Sequence, residues 1–192
     1  LKDAIEFFNA TLGIFGAIGV IILMEGAILG EKRSGTAAWM LSKPVSRSAF
    51  LLAKLIGNSI GVFVCAVAAQ TGIVYLLIRN SLSVTLSPLG FLAAMLPQMV
   101  NLFFYLTLTL MLAALFNHRG VVIGIPIIPL FMDEMLVTLP PDVFKVLVNI
   151  LPYGLIFGYN EELPAIGASM MFGVQPYSME PLYWTLLFST GF

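Results

Sequence analysis

Long stretches without any charge dominate the chain. Residues 55–78 and 89–116 are uncharged runs of 24 and 28 residues, and residues 11–29 carry one charge, Glu25. About 20 apolar residues cross the hydrocarbon of a bilayer as a helix. In lipid each backbone N–H and C=O must be bonded within its own segment, so helix is the form such runs take. The fold class that follows is all-α: a polytopic transmembrane helical bundle. Only 10% of the 192 residues are charged, against about 25% in soluble domains. A soluble fold would have too few polar groups to cover its surface, and a mean hydropathy of +1.00 says the same.

Beyond the three clear runs the pattern weakens. Residues 120–139 are apolar but hold Asp133, Glu134, Pro126 and Pro129, which predicts a fourth, kinked span. Residues 143–159 carry Lys145 and Pro152. They sit in a segment, 140–181, that also holds Pro140, Pro141, Pro164, Pro176 and Pro181. That many helix breakers favour short re-entrant or interfacial helices over one straight span. Residues 182–192 read as the start of a fifth span. The expectation is a single transmembrane domain over 1–192, a fragment with sequence lacking at both ends.

Lys and Arg set the orientation. Segment 30–54 holds Lys32, Arg33, Lys43, Arg47 and Lys54, five of the nine basic residues. Placing it in the cytoplasm puts 79–88 outside, 117–120 inside and 140–181 outside. The inside then has six basic residues, counting Arg119, and the outside three: Lys2, Arg79 and Lys145. This is the positive-inside bias, and it predicts a multi-pass protein of the plasma (inner) membrane.

Several function classes drop away. A net charge of −1 gives no reason to expect a nucleic-acid partner. Cys65, the single cysteine, reads as a small buried core residue, with no disulfide inside the chain. His118 has no second ligand near it, and most of the ten methionines sit in apolar runs, with only Met170 and Met171 adjacent. No metal site is expected. There is no Gly-x-x-x-x-Gly-Lys-Ser/Thr, so no phosphate cradle is expected, and with no Gly-x-Ser-x-Gly and no His-Glu-x-x-His an intramembrane hydrolase is disfavoured. The pairs Gly13 and Ala17, Gly26 and Gly30, and Gly57 and Gly61 are each four apart, a spacing that suits close helix contacts in lipid.

The basic segment carries its own internal order. Ser34 or Thr36 is placed to cap a short helix over 37–42, which contains Trp39, Met40 and Leu41. Pro44 ends it, because the residue before a proline avoids the α region. Ser46 or Ser48 then caps the helix that enters the membrane. A short amphipathic helix held between two spans can transmit force from a cytoplasmic partner. It can equally be an interfacial anchor in the lipid surface.

The run Glu31-Lys32-Arg33-Ser34-Gly35-Thr36, then Leu41-Ser42-Lys43-Pro44-Val45-Ser46-Arg47, then Lys54, resembles the cytoplasmic signature of type-2 ABC transporter permeases. In these a span is followed by Glu-Arg-x-x-Gly-Thr, a few helical residues, Leu-x-x-Pro-Val-Ser-Arg, and a Lys before the next span. The resemblance covers the second to the start of the sixth span of a six-span subunit. It implies a coupling helix that docks on a separate ATP-binding subunit, with ATP and Mg bound by that partner and no cofactor in this chain. It also implies two permease subunits, identical or not, with substrate passing between them, usually outward. The matching positions are Glu31, Gly35, Thr36, Pro44 and Arg47. Glu31 and Arg33 are expected to make charge-assisted contacts. Gly35 is expected to allow close backbone approach, and Trp39 and Met40 to supply apolar contact.

Glu25 lies roughly 8 Å inside the membrane edge at 1.5 Å per residue. A carboxylate there needs a partner, with Lys32, Arg33 or Lys54 in reach. Gln98, Asn101, Tyr105 and Thr109 share one helix face and either line a translocation path or bond between helices. Asn58 and Gln70 are weaker cases. Asp133 and Glu134, adjacent and therefore about 100° apart on a helix, form no convergent pair. The rival to an ATP-driven exporter is a secondary transporter driven by an ion gradient. That needs a buried ionisable group, and Glu25 is the one candidate.

Overall fold

A computed structural model describes residues 2–42, 46–82, 88–132, 143, 151–156, 166–172 and 179–191. Every regular element among them is helical. The order is α1 (Lys2–Ser34), α2 (Thr36–Leu41), α3 (Arg47–Val62), a π-helical segment (Phe63–Ala68), α4 (Ala69–Leu82), α5 (Pro88–Leu115), α6 (Arg119–Leu130), α7 (Tyr153–Ile156), α8 (Ile166–Phe172) and α9 (Glu180–Gly191). Among the described residues three stretches are long and apolar enough to cross a membrane: Ile5–Ser34, Arg47–Asn80 and Pro88–Leu115. Arg119–Leu130 is apolar but shorter.

α5 is the hub. It packs most extensively on α1 and also touches α3, α6, α7, α8 and α9. Ala17, Ile21, Met24 and Ile28 of α1 meet Leu102, Leu106 and Ala113 of α5 and Val122 of α6 in one apolar cluster. A second cluster gathers Ile5, Phe91, Ala94, Leu155, Ile156 and Ile166. Gly13 sits between them with the Ile156 side chain where a Cβ would be, so α1 and α7 approach as closely as a missing side chain allows.

The helices depart from the sequence expectations in instructive ways. α1 has 33 residues, roughly 50 Å at 1.5 Å per residue, so it outruns the apolar stretch 11–29 at both ends. α6 stops at Leu130, where Pro126 and Pro129 have removed two backbone donors. Residues 133–140, with Asp133, Glu134 and Pro140, lie outside the described residues, as does Lys145. Within 140–181, α7 and α8 are helices of 4 and 7 residues packed on α5. Cys65 is exposed, not buried in a core. The stretch from α3 to α4 is an outer helix presenting Ile56, Ile60, Phe63, Val64, Ile73 and Leu76 outward. An uncharged run is satisfied by lipid as well as by protein, so apolarity alone did not separate core from periphery. The glycine pairs divide the same way. Gly13 and Ala17 are packed, whereas among the described residues nothing lies within 4 Å of a Cβ at Gly26, Gly30, Gly57 or Gly61.

Candidate functional site

The basic segment folds as a break, a short helix and a restart. Gly35 ends α1 and precedes α2 with φ 77° and ψ −3°, a left-handed conformation that costs other residues about 1 kcal/mol or more. Trp39 N–H donates to Gly35 O at 3.0 Å and Ser42 N–H to Ala38 O at 3.1 Å. The N-cap position of α2 is Gly35, which has no capping side chain; of the two expected caps, the Ser34 hydroxyl accepts from Thr36 N–H at a long 3.5 Å and bonds the Thr36 hydroxyl at 2.9 Å. Gly35 therefore serves the turn, and among the described residues nothing lies within 4 Å of where its Cβ would be. Ser46 does cap α3, accepting from Ala49 N–H at 3.1 Å. Arg33, Thr36 and Arg47 are exposed, Met40 is half-buried, and Trp39 is 62% exposed. Pro44 lies outside the described residues, with Lys43 and Val45.

Directly behind α2, the last turns of α1 are tied to three other helices. The Glu25 side chain is 2% exposed, and Arg119, the first residue of α6, grips it through both carboxylate oxygens: Nε to Oε1 at 2.8 Å and Nη2 to Oε2 at 2.9 Å. This bidentate geometry is the strong form of the Arg–carboxylate bond. Arg119, not Lys32, Arg33 or Lys54, is thus the partner of Glu25. Lys54 of α3 pairs instead with Glu31 of α1, with its ammonium 5.9 Å from the Phe50 ring centre. Lys32 reaches the end of α5, donating to Ala113 O at 2.7 Å, Ala114 O at 2.9 Å and Asn117 Oδ1 at 3.2 Å. The last carbonyls of a helix have no partner within it and carry its negative pole. Lys32 satisfies two of them with a full positive charge.

At the other end of the α1–α5 interface neutral amides of described residues bond across the helices. Asn9 donates to Ile156 O at 3.0 Å, Gln98 donates to Asn9 O at 2.9 Å and also to Asn9 Oδ1, and Asn101 donates to Gly13 O at 3.4 Å. Gly167 of α8 leaves room for the Asn9 amide. Gln98, Asn101, Tyr105 and Thr109 are all buried. The Thr109 hydroxyl turns back to Tyr105 O at 2.7 Å. Two apolar clefts open on the bundle's outside, about 580 Å³ between α1 and the α3–π stretch and about 530 Å³ between α3, α5 and α9. Neither is lined by any of these four residues. Gln70 lines the first cleft, and Asn58 bonds to Lys54 O in its own helix at 2.8 Å.

His118 is exposed at the N-cap of α6 with no side-chain capping bond. Among the described residues no group of three His, Cys, Asp or Glu side chains could hold a metal ion.

The helices define an integral membrane protein in which Glu25, Glu31, Lys32, Lys54 and Arg119 tie four helices together beside a short exposed helix. The model of the ABC-2 family transporter protein family matches residues 2–151. The chain belongs to that family and is a membrane permease of an ABC transporter, the membrane component of a transport machine. Membership implies association with an ATP-binding subunit. No curated protein and no solved structure matches the chain.

Proposed function

We propose that the chain is the membrane-spanning subunit of an ATP-driven exporter, and that α2 receives the stroke of a separate ATP-binding subunit. One observation carries the reading. A six-residue helix, set off from α1 by left-handed Gly35, holds Trp39 outward at 62% exposure. An exposed Trp on a short rigid helix is the kind of anchor that dominates protein interfaces. In this reading Trp39 and Met40 enter a groove on the partner. Arg33 and Arg47 supply charge at its rim, Thr36 borders it, and Pro44 limits the helix. Glu31 works from within the chain through Lys54. The basic segment 30–54 is cytoplasmic, consistent with its share of Lys and Arg, in the plasma (inner) membrane. ATP and Mg belong to the partner.

Substrate passes between two permease subunits. A path along Gln98, Asn101, Tyr105 and Thr109 would require α1 to part from α5, because those side chains are buried within one subunit. An ion-driven carrier would need its buried ionisable group free to load a cation, and both oxygens of Glu25 are engaged by Arg119.

The full-length protein, purified in mild detergent, is expected to retain an ATP-binding subunit. Trp39→Glu is expected to insert normally and bind that subunit about thirtyfold more weakly, the loss of an anchor of about 2 kcal/mol. Unchanged affinity would remove α2 as the receiving element.

A further inference from the structure

We propose that Lys32 is a positioning residue that carries the displacement of α2 into the end of α5 and the α5–α6 turn. The proposal rests on the reading of α2 as the element that receives the ATP-driven stroke. Lys32 lies in the last turn of α1, three residues before Gly35. All three of its ammonium donors are used, on Ala113 O, Ala114 O and Asn117 Oδ1 at 2.7, 2.9 and 3.2 Å. Two of these acceptors are the last carbonyls of the hub helix, and the third belongs to the turn that leads to α6.

The geometry decides where a push on α2 goes. α2 is six residues long and joins α1 through the single left-handed residue Gly35. Movement of α2 therefore acts first on the last turn of α1. That turn is fastened by two neighbouring side chains that reach different helices: Glu31 to Lys54 on α3, and Lys32 to the end of α5. α5 touches α1, α3, α6, α7, α8 and α9, so the Lys32 contact is the one that engages the whole bundle. A lysine can follow its acceptors as they move, because an ammonium is a point charge on a flexible stem. The bond to a helix terminus depends on the dipole there and not on one fixed oxygen.

Spin labels at exposed Ser42 and His118, with Cys65 replaced by Ala, report the distance from α2 to the α5–α6 turn. The measurement uses the full-length protein with its ATP-binding subunit in lipid nanodiscs, without nucleotide and with ATP, Mg and vanadate. In the parent chain the distance is expected to be the same in both states, since α2 and the turn move together. In Lys32→Met it is expected to differ between the two states, and Lys32→Arg is expected to restore the parent behaviour. A Lys32→Met distance that is equal in both states overturns the proposal, whether or not it is offset from the parent value. An equal offset in both states is what a lysine that merely holds the turn in place would give. If the parent chain retains no ATP-binding subunit, the reading of α2 falls and this proposal falls with it. If the subunit is retained and Lys32→Met still moves as one body, only the role of Lys32 falls.

Discussion

At one end of the α1–α5 interface Asn9, Gln98 and Asn101 exchange neutral amide bonds with backbone carbonyls. At the other end Glu25, Glu31 and Lys32 reach out with full charges to Arg119, Lys54 and the terminus of α5. The two ends solve one problem in two ways. A polar group removed from water must find a partner. Amides do so modestly: interhelical hydrogen bonds in membranes average about 0.6 kcal/mol. Charges pair strongly but are costly when a partner is lost. The neutral end holds α1, α5, α7 and α8 in a fixed arrangement. The charged end lies where α2 leaves the bundle, and its pairs run from the buried Glu25 carboxylate to the part-exposed Glu31–Lys54 pair.

The largest expected effect is at Arg119. Arg119→Met leaves the Glu25 carboxylate, 2% exposed, without its one partner among the described residues. Breaking a buried pair from one side costs about 3–5 kcal/mol. The 59% exposure of the Arg119 side chain places this pair near the lower figure, about 3 kcal/mol, because solvent already screens one partner. Thermal unfolding in detergent should show the loss. The double variant Glu25→Leu/Arg119→Met should regain most of it, because no charge is then stranded. Equal losses in single and double variants would mean that Arg119 matters for something other than Glu25.

A smaller loss is expected at the neutral end. Asn9→Ala removes the bond to Ile156 O and an acceptor of Gln98. A stranded buried group costs about 1–3 kcal/mol, and the low membrane average pulls the expectation to about 1–2 kcal/mol. Because no net charge is involved, the loss should not change with salt. Hydrogen exchange of the backbone at 153–156 should speed up, since α7 loses its side-chain tie to α1. Unaltered exchange there would show that apolar packing of Leu155 and Ile156 alone holds α7.

Much of the helical architecture was legible in the chain because long uncharged runs have few folded solutions in lipid. The need of Glu25 for a partner was legible too, from depth and charge. Its identity was not, because Arg119 is 94 residues away and nearer basic residues competed for the role. The usable clue was topological: orientation by charge puts Arg119 on the membrane side that Glu25 approaches. Lys32 left no such clue, since its acceptors are mainly backbone carbonyls, which every residue possesses. The exposure of Cys65 was hidden because lipid and protein interior select the same apolar residues. The restart at Ser46 was readable from capping chemistry. The left-handed turn at Gly35 was not distinguished from a close approach, since both call for glycine.

The smallest effect is expected at Lys54, and it tests whether the charged end is uniform. The Lys54 and Glu31 side chains are 27% and 25% exposed, far wetter than Glu25. Part-exposed pairs contribute about 0–1 kcal/mol, and the Phe50 ring adds about 0.5 kcal/mol. Lys54→Met should therefore lower stability by less than about 1.5 kcal/mol at low salt. The loss should shrink at 1 M salt, where the screening length is about 3 Å, while the deficit of Arg119→Met persists because Glu25 is shielded from ions. Unfolding curves of both variants at low and high salt make the comparison. The two pairs then form a graded series, firm at Glu25 and yielding at Glu31, as expected if the last turn of α1 moves against α3 while remaining anchored to α6. A salt-independent loss at Lys54 would break that grading. One oxygen of Glu31, Oε2, is already buried without a partner among the described residues, so such a result would mark Glu31 as a second buried carboxylate and the whole end as rigid.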